Sequence, residues 1–248
     1  MGEKNSSDTR VRPLGVAITN NHALLSKLLS LVKADGNVGD FENKKVFYTD
    51  TENEKKEKSL PPTPVHLMAI IDKIVSDNKF REIVKNLDKS TSKNNGLRKK
   101  IFNPDEKTIK KAEEKIKDGK RPLWCKFEGN SRPDLFIEND KYIVLVEGKR
   151  TEPKLTDSTS YLEHRSQMVR HIENALYYGK GKKKVIAFYI IEKGCGYKED
   201  CKKDHFEKVL DEETIKKDSV TKTKILDSFY GYTTWDEIEE KLHIRFEK

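Results

Sequence analysis

The sequence predicts a mixed α/β fold of the α+β kind. Its core runs in the order α-β-β-β-α-β with a mixed sheet, behind a mostly helical N-terminal extension. Three observations predict it. Apolar residues recur at helical spacing in several stretches before residue 120. From residue 132 two β-type runs flank the turn pair Asn139-Asp140. A later run, KVIAFYIIE, is apolar almost throughout, as expected of a strand buried on both faces.

Taken in order, residues 1–12 read as disordered. Leu24, Leu25, Leu28, Leu29 and Val32 predict a helix over 20–33, with Asn20 or Asn21 as its cap. Residues 35–63 mix Gly, Asn and charge and end at Pro61-Pro62, so they read as a long loop with a short strand at 46–48. A second helix is expected over 65–87, with Leu67, Ile70, Ile71, Ile74, Ile83 and Val84 on its inner side. STSKNNG at 90–96 has linker composition, which divides the chain into an extension, 1–95, and a core domain, 96–248. Asn103-Pro104 opens a helix that stops at Gly119. Strands follow at 123–128, 132–138 and 141–149, then a helix over 161–178 and a strand over 183–192. The last 44 residues, from 205, hold one or two helices and a final short strand, LHIRFE.

Composition narrows the function classes. The 248 residues are 34% hydrophobic and 37% charged, and no apolar run approaches the roughly 20 residues that span a bilayer. The N-terminus, MGEKNSSDTR, has no apolar signal region, so a cytoplasmic protein without a membrane partner is expected. A net charge of +8 suits a polyanionic partner, as it suits a plain solvated surface. Three cysteines without framework spacing fit a reducing compartment. Cys195, Cys201 and His205 match no common zinc-finger spacing and have no evident fourth ligand.

The chemistry concentrates in RPDLFIENDKYIVLVEGKR, which places Pro133-Asp134 before a tight turn and Glu147-Gly148-Lys149 after it. If Glu138 lies opposite Lys141, Asp134 faces Leu145 and Glu147 is its diagonal neighbour. Side chains opposed across strands, or two apart along one, share a sheet face. Asp134, Glu147 and Lys149 therefore point to one side, and any symmetric turn about the same pair keeps that parity. Diagonal neighbours lie roughly 7–8 Å apart, close enough for two carboxylates to share a divalent ion. Lys149 neutralising Glu147 at a sheet edge is the plain alternative. Against it stands the run Ile143-Val144-Leu145-Val146, because charges that finish a doubly buried strand are costly to desolvate unless paired or bound.

With these residues the sequence resembles the PD-(D/E)xK, or restriction-endonuclease-like, nuclease superfamily, over about residues 103–192. The resemblance implies a restriction-endonuclease-like αβββαβ core and a Mg²⁺-dependent phosphodiesterase site, with Mn²⁺ able to substitute. It makes Asp134, Glu147 and the backbone of Gly148 the metal ligands, and gives Lys149 the task of orienting or deprotonating the attacking water. It implies DNA as partner, with RNA as an alternative, and the N-terminal extension, which could serve recognition or dimerisation, favours a restriction-type endonuclease within the class.

Family members often add an acid from the helix before the sheet. Glu113 falls within the inner stripe Ile109, Ala112 and Ile116, whereas Glu114 lies about 100° round, nearer solvent. Some branches carry a Gln followed four residues later by Tyr in the helix after the sheet. Here Gln167 is present and His171 stands at the Tyr position. Lys154, Arg150 and the GKGKKK stretch offer a phosphate-binding margin, or solvated loop lysines. The extension would bind substrate or mediate a homodimer. The rival readings are a catalytically inactive nucleic-acid-binding subunit of the same fold, and an unrelated α+β protein whose hairpin charges are ordinary.

Overall fold

A computed structural model of the chain describes residues 7–34, 43–50, 57–87, 96–118, 127–159 and 161–246. The fold is α+β, built on one five-stranded mixed sheet. Its strands are β1 (Lys45–Tyr48), β2 (Leu135–Glu138), β3 (Tyr142–Gly148), β4 (Lys184–Ile191) and β5 (Phe229–Thr234), adjacent in that order. The β1–β2 and β2–β3 pairs are antiparallel, whereas β3, β4 and β5 are mutually parallel.

Helices cover both faces. Leu135, Ile137, Val144, Val146, Ile186 and Phe188 pack on one side beneath α1 (Arg12–Asn20), α2 (Ala23–Leu31) and α10 (Trp235–Leu242). Phe136, Ile143, Leu145, Val185 and Ala187 pack on the other beneath α7 (Gln167–Tyr178), with α8 (Lys203–Glu212) and α9 (Ser219–Ser228) beyond. A third cluster joins α3 (Pro64–Ser76), α4 (Asn78–Leu87), α5 (Gly96–Ile101) and α6 (Glu106–Lys117) to Phe127, Leu162 and Ile215. Thus β1, α1 and α2, from the N-terminal part of the chain, share a core with β2 and β3.

Several boundaries differ from the sequence reading, each for a local reason. Residues 7–12 are ordered, because Val11 is wholly buried against the sheet. The helix expected over 65–87 breaks at Asp77, whose carboxylate accepts from the Phe80 N–H and starts α4 anew. Asp105, not Asn103, caps α6 by accepting from the Thr108 N–H. Of the strand expected at 123–128, residues 123–126 lie outside the described residues, and Phe127-Glu128 is not extended. The third antiparallel strand is instead β1, which the apolar pattern shows only as VFY.

The helix expected over 161–178 begins only at Gln167, since 161–166 is occupied by bonds to side chains and loops. At the C-terminus β5 precedes α10, which takes in Leu242, and residues 243–246 of the segment expected as a strand are irregular, with Phe246 edge-on against Trp235 at 5.3 Å. Among the described residues no helix is long and apolar enough to cross a membrane.

The hairpin register also differs, with a consequence for the site. Glu138 pairs with Ile143 and Leu135 with Val146, and the Asn139 N–H donates to the Tyr142 carbonyl. The Asn139 side chain accepts from the Lys141 and Tyr142 N–H groups, which moves the turn one residue along. Parity survives the shift. Asp134 is now in line with Glu147 itself, rather than diagonal to it.

Candidate active site

The site forms where β1, β2 and β3 end beneath the first turn of α7. Asp134, just before β2, is fixed by main chain on both sides: its carbonyl accepts from the Thr49 N–H (2.8 Å) and its Oδ2 accepts from the Gly148 N–H (2.9 Å). The Thr49 hydroxyl stands 3.4 Å from Oδ1. Glu147 ends β3 facing α7. Its Oε1 accepts from Lys149 Nζ at 3.0 Å, and its Oε2 lies 3.1 Å from His171 Nε2. Lys149 Nζ also donates to Gln167 Oε1 at 3.2 Å. One hydrogen-bonded chain therefore runs Gln167–Lys149–Glu147–His171, with Asp134 across from Glu147.

The residue between the two charged ones is held from behind. A Cβ on Gly148 would lie 2.8 Å from Val11 Cγ2 and 3.0 Å from Trp235 Cζ2, while the Trp235 indole N–H donates to the Lys149 carbonyl. Strand alternation thus turns Glu147 and Lys149 toward α7 and leaves the opposite face of Gly148 to packing.

Charge follows from this geometry. Glu147 and Lys149 are both nearly buried. Burial and the nearby Glu147 push the Asp134 carboxyl well above the usual carboxylate range. Burial opposes ionisation of Glu147 too, but the His171 hydrogen bond and the Lys149 charge outweigh it and lower its pKa. Burial likewise disfavours charged Lys149, yet the Glu147 carboxylate raises its pKa above the ordinary lysine value. Two carboxylates thus face each other with one ammonium between them and the helix. That donor set fits a hard divalent cation, which takes one or two carboxylates and completes its shell with main-chain oxygen and water. Among the described residues no three His, Cys, Asp or Glu side chains are grouped to hold a metal by themselves, at the Cys195, Cys201 and His205 segment or elsewhere.

Of the residues singled out from sequence, Asp134, Glu147, Gly148, Lys149 and Gln167 meet here. Glu113 does not join them. It lies half-buried on α6, which packs on α3 and α5 in the third cluster, and it takes no part in the site's hydrogen bonds. The reason is topological: the helices before β2 form a separate layer, and α1 and α2 occupy the sheet face opposite the site. Two further residues join the site. His171 was signalled by its place four after Gln167, whereas Thr49 comes from β1, which the sequence joins to the site by no motif.

A second charged cluster lies behind the first turn of α7. Arg165 makes two hydrogen bonds to Glu128 (2.7 and 2.6 Å) and one to Glu213 (2.8 Å), and pairs with Glu173 at 2.8 Å. His66 Nε2 lies 2.9 Å from Glu128, and Lys217 Nζ lies 3.1 Å from both His66 Nδ1 and Glu173. Burial and the Arg165 charge hold the His66 imidazole below its ordinary pKa, so it is neutral, donating from Nε2 and accepting at Nδ1.

No family model, curated protein or solved structure matches this chain. The functional reading rests on the residues and their geometry.

Proposed function

We propose that this protein is a Mg²⁺-dependent nuclease that hydrolyses phosphodiester bonds in DNA, as an endonuclease of the restriction-endonuclease-like type. The observation that carries the reading is the convergence of Asp134, Glu147, Lys149 and Gln167 at the ends of adjoining strands. The order of elements supports it: α2, β1, β2, β3, α7 and β4 follow an α-β-β-β-α-β path, with α3 to α6 inserted between the first two strands.

Asp134 and Glu147, with the main chain of Gly148, would hold the cation. When bound, it neutralises phosphate charge and lowers the pKa of coordinated water. The chain's own groups do the positioning. His171 and Lys149 each take one oxygen of Glu147 and so fix the plane of its carboxylate. Lys149, held protonated by Glu147, is a donor and a positive charge beside the scissile phosphate, able to orient the attacking water. Gln167 sets the direction of the ammonium, and Thr49 with the Gly148 N–H sets that of Asp134.

The test uses supercoiled plasmid with and without Mg²⁺. Nicking or linearisation is expected with Mg²⁺ or Mn²⁺ and not with chelator. Lys149→Met should lower the rate by about 10²–10⁴-fold, the range for losing a positioned acid–base group, and Asp134→Asn, which removes a ligand of the cation, should lower it as well, each with an unchanged far-ultraviolet circular dichroism spectrum. Wild-type rates in both variants would overturn the reading. A single-stranded RNA of matched sequence serves as the alternative substrate.

A further inference from the structure

At the end of α7 remote from the candidate site lies an open cavity of about 790 Å³ that the hydrolytic machinery leaves unused. Its apolar part is Pro61 and Leu176, and Lys224 of α9 stands on its margin. Gln167 opens α7 at the site and Tyr178 closes it at the cavity, so the rise of the helix sets the two roughly 16 Å apart. One wall is the tight turn at 179–182 that joins α7 to β4. The Lys182 N–H donates to the Gly179 carbonyl at 2.9 Å, and Lys180 and Gly181 at its centre both have positive φ, 53° and 66°. Lys180 is therefore presented by a closed turn and not by a long loop.

The charges here are of one sign. Lys180, Lys183 and Lys224 line the cavity, and no carboxylate does. Behind it, Glu138 accepts from Lys183 at 2.8 Å and from the Tyr178 hydroxyl at 3.0 Å, and lies 3.5 Å from Lys58, so one acid answers two lysines. Lys180 and Lys224 are exposed and make no hydrogen bond or ion pair with the described residues. The two tyrosines of the lining differ in the same way. Tyr178 is committed, with its hydroxyl on Glu138 and Lys58 Nζ 4.1 Å from its ring centroid. Tyr177 is 50% exposed and makes no hydrogen bond or ring contact with the described residues. Lysine near a helix end is ordinary, since it answers the partial charge of the last carbonyls. Here a second helix adds Lys224, and an unused aromatic ring lies between the cations and the apolar wall.

We propose that this cavity binds an unpaired strand of nucleic acid, with one base stacked on Tyr177 and the flanking phosphates on Lys180 and Lys224. A positive groove with an exposed aromatic ring is how proteins hold single strands without reading their sequence. A duplex keeps its bases stacked inside and would leave Tyr177 idle. The proposal rests on the nuclease reading in one respect, that the strand belongs to the substrate. Roughly 16 Å is about five steps of duplex rise at 3.4 Å per nucleotide of one strand, so the cut falls near a junction of paired and unpaired DNA.

Fluorescence anisotropy of a labelled short oligothymidylate, with the intact protein in chelator, reads the cavity apart from any cleavage. Binding should be saturable. Tyr177→Ala should weaken it at least fivefold, and an abasic strand of equal charge should bind the wild type at least fivefold more weakly than the oligothymidylate. Lys180→Gln combined with Lys224→Gln should lower the slope of log affinity against log salt by about 1.4, at about 0.7 for each phosphate released from a single strand. All three side chains are exposed, so these variants should melt with the wild type. With Mg²⁺, a forked DNA with a single-stranded arm should be cut with a lower KM than the fully paired duplex, and Tyr177→Ala should erase that preference. Absence of saturable binding, wild-type affinity in Tyr177→Ala, an unchanged salt slope or equal cutting of fork and duplex overturns the proposal, and plasmid nicking by the same preparation leaves the nuclease reading standing. Equally tight binding of a polyglutamate peptide also overturns it, and makes an acidic protein the occupant. Saturable binding that the variants lose, in a protein that nicks no plasmid, supports the cavity and removes the nuclease reading.

Discussion

At the scale of single residues, Gly148 shows how tightly the site is tied to the core. Its N–H orients Asp134 while its Cα lies against Val11 and Trp235. Gly148→Ala should destabilise the protein by about 1–3 kcal/mol, the usual cost of overpacking, measured by urea denaturation. The same variant should lower cleavage more than its stability explains, because the added methyl displaces the strand end that carries Glu147 and Lys149. The alternation that turns these two residues to one side was legible in the sequence, since parity does not depend on the exact turn. The directness of the Asp134–Glu147 opposition was not, because Asn139 moves the turn through side-chain hydrogen bonds that spacing does not display. Glu113 misleads for a related reason. An acid within an apolar stripe marks an inner face, but nothing in the stripe says which neighbour that face meets.

At the scale of elements, the buried cluster around Arg165 joins α3, the residue before β2's approach, α7 and the segment after α8. Arg165→Met takes the guanidinium from Glu128 and Glu213 in a dry interior, and should cost about 3–5 kcal/mol in urea denaturation. Acid should act on the same cluster in two steps. His66 is held below its ordinary pKa of 6.5, so below that pH the unfolded chain takes up a proton that the native site resists, and stability falls. Glu128 faces the opposite balance of terms with the same outcome: burial opposes its ionisation, but Arg165 and His66 hold its pKa far below 4.5, and its contribution is lost as pH drops beneath that value. His66→Gln keeps a donor and an acceptor without a titrating group. It should remove the upper step, of up to about 1.4 kcal/mol per pH unit, in melts between pH 7 and 5.5. None of this cluster was visible beforehand, since Glu128, Arg165 and Glu213 are far apart in a chain where more than a third of residues are charged.

For the whole molecule, the α+β class and the strands at 132–149 and 183–192 could be read from apolar period, because a doubly buried strand has few ways to be written. β1 and β5 were harder. β1 is four residues long, and β5, FYGYTT, is interrupted by a glycine and only half buried. Metal binding offers the global check. Under the nuclease reading Mg²⁺ binds the native site and not the unfolded chain, so at a hundred times its dissociation constant it should add about 2.7 kcal/mol of stability, seen as a higher melting temperature. Asp134→Asn should remove most of that gain.

The ladder between β1 and β2 joins Tyr48 to Leu135, positions roughly ninety residues apart. On the ribosome, at about 5–20 residues per second, the first strand is finished many seconds before its partner exists. Thr49, which steadies Asp134, arrives with it. The nascent chain therefore cannot assemble a working centre early, and closing so long a loop makes refolding in the test tube slow. Under the nuclease reading, such a chain would in this way stay harmless until most of its length had been made.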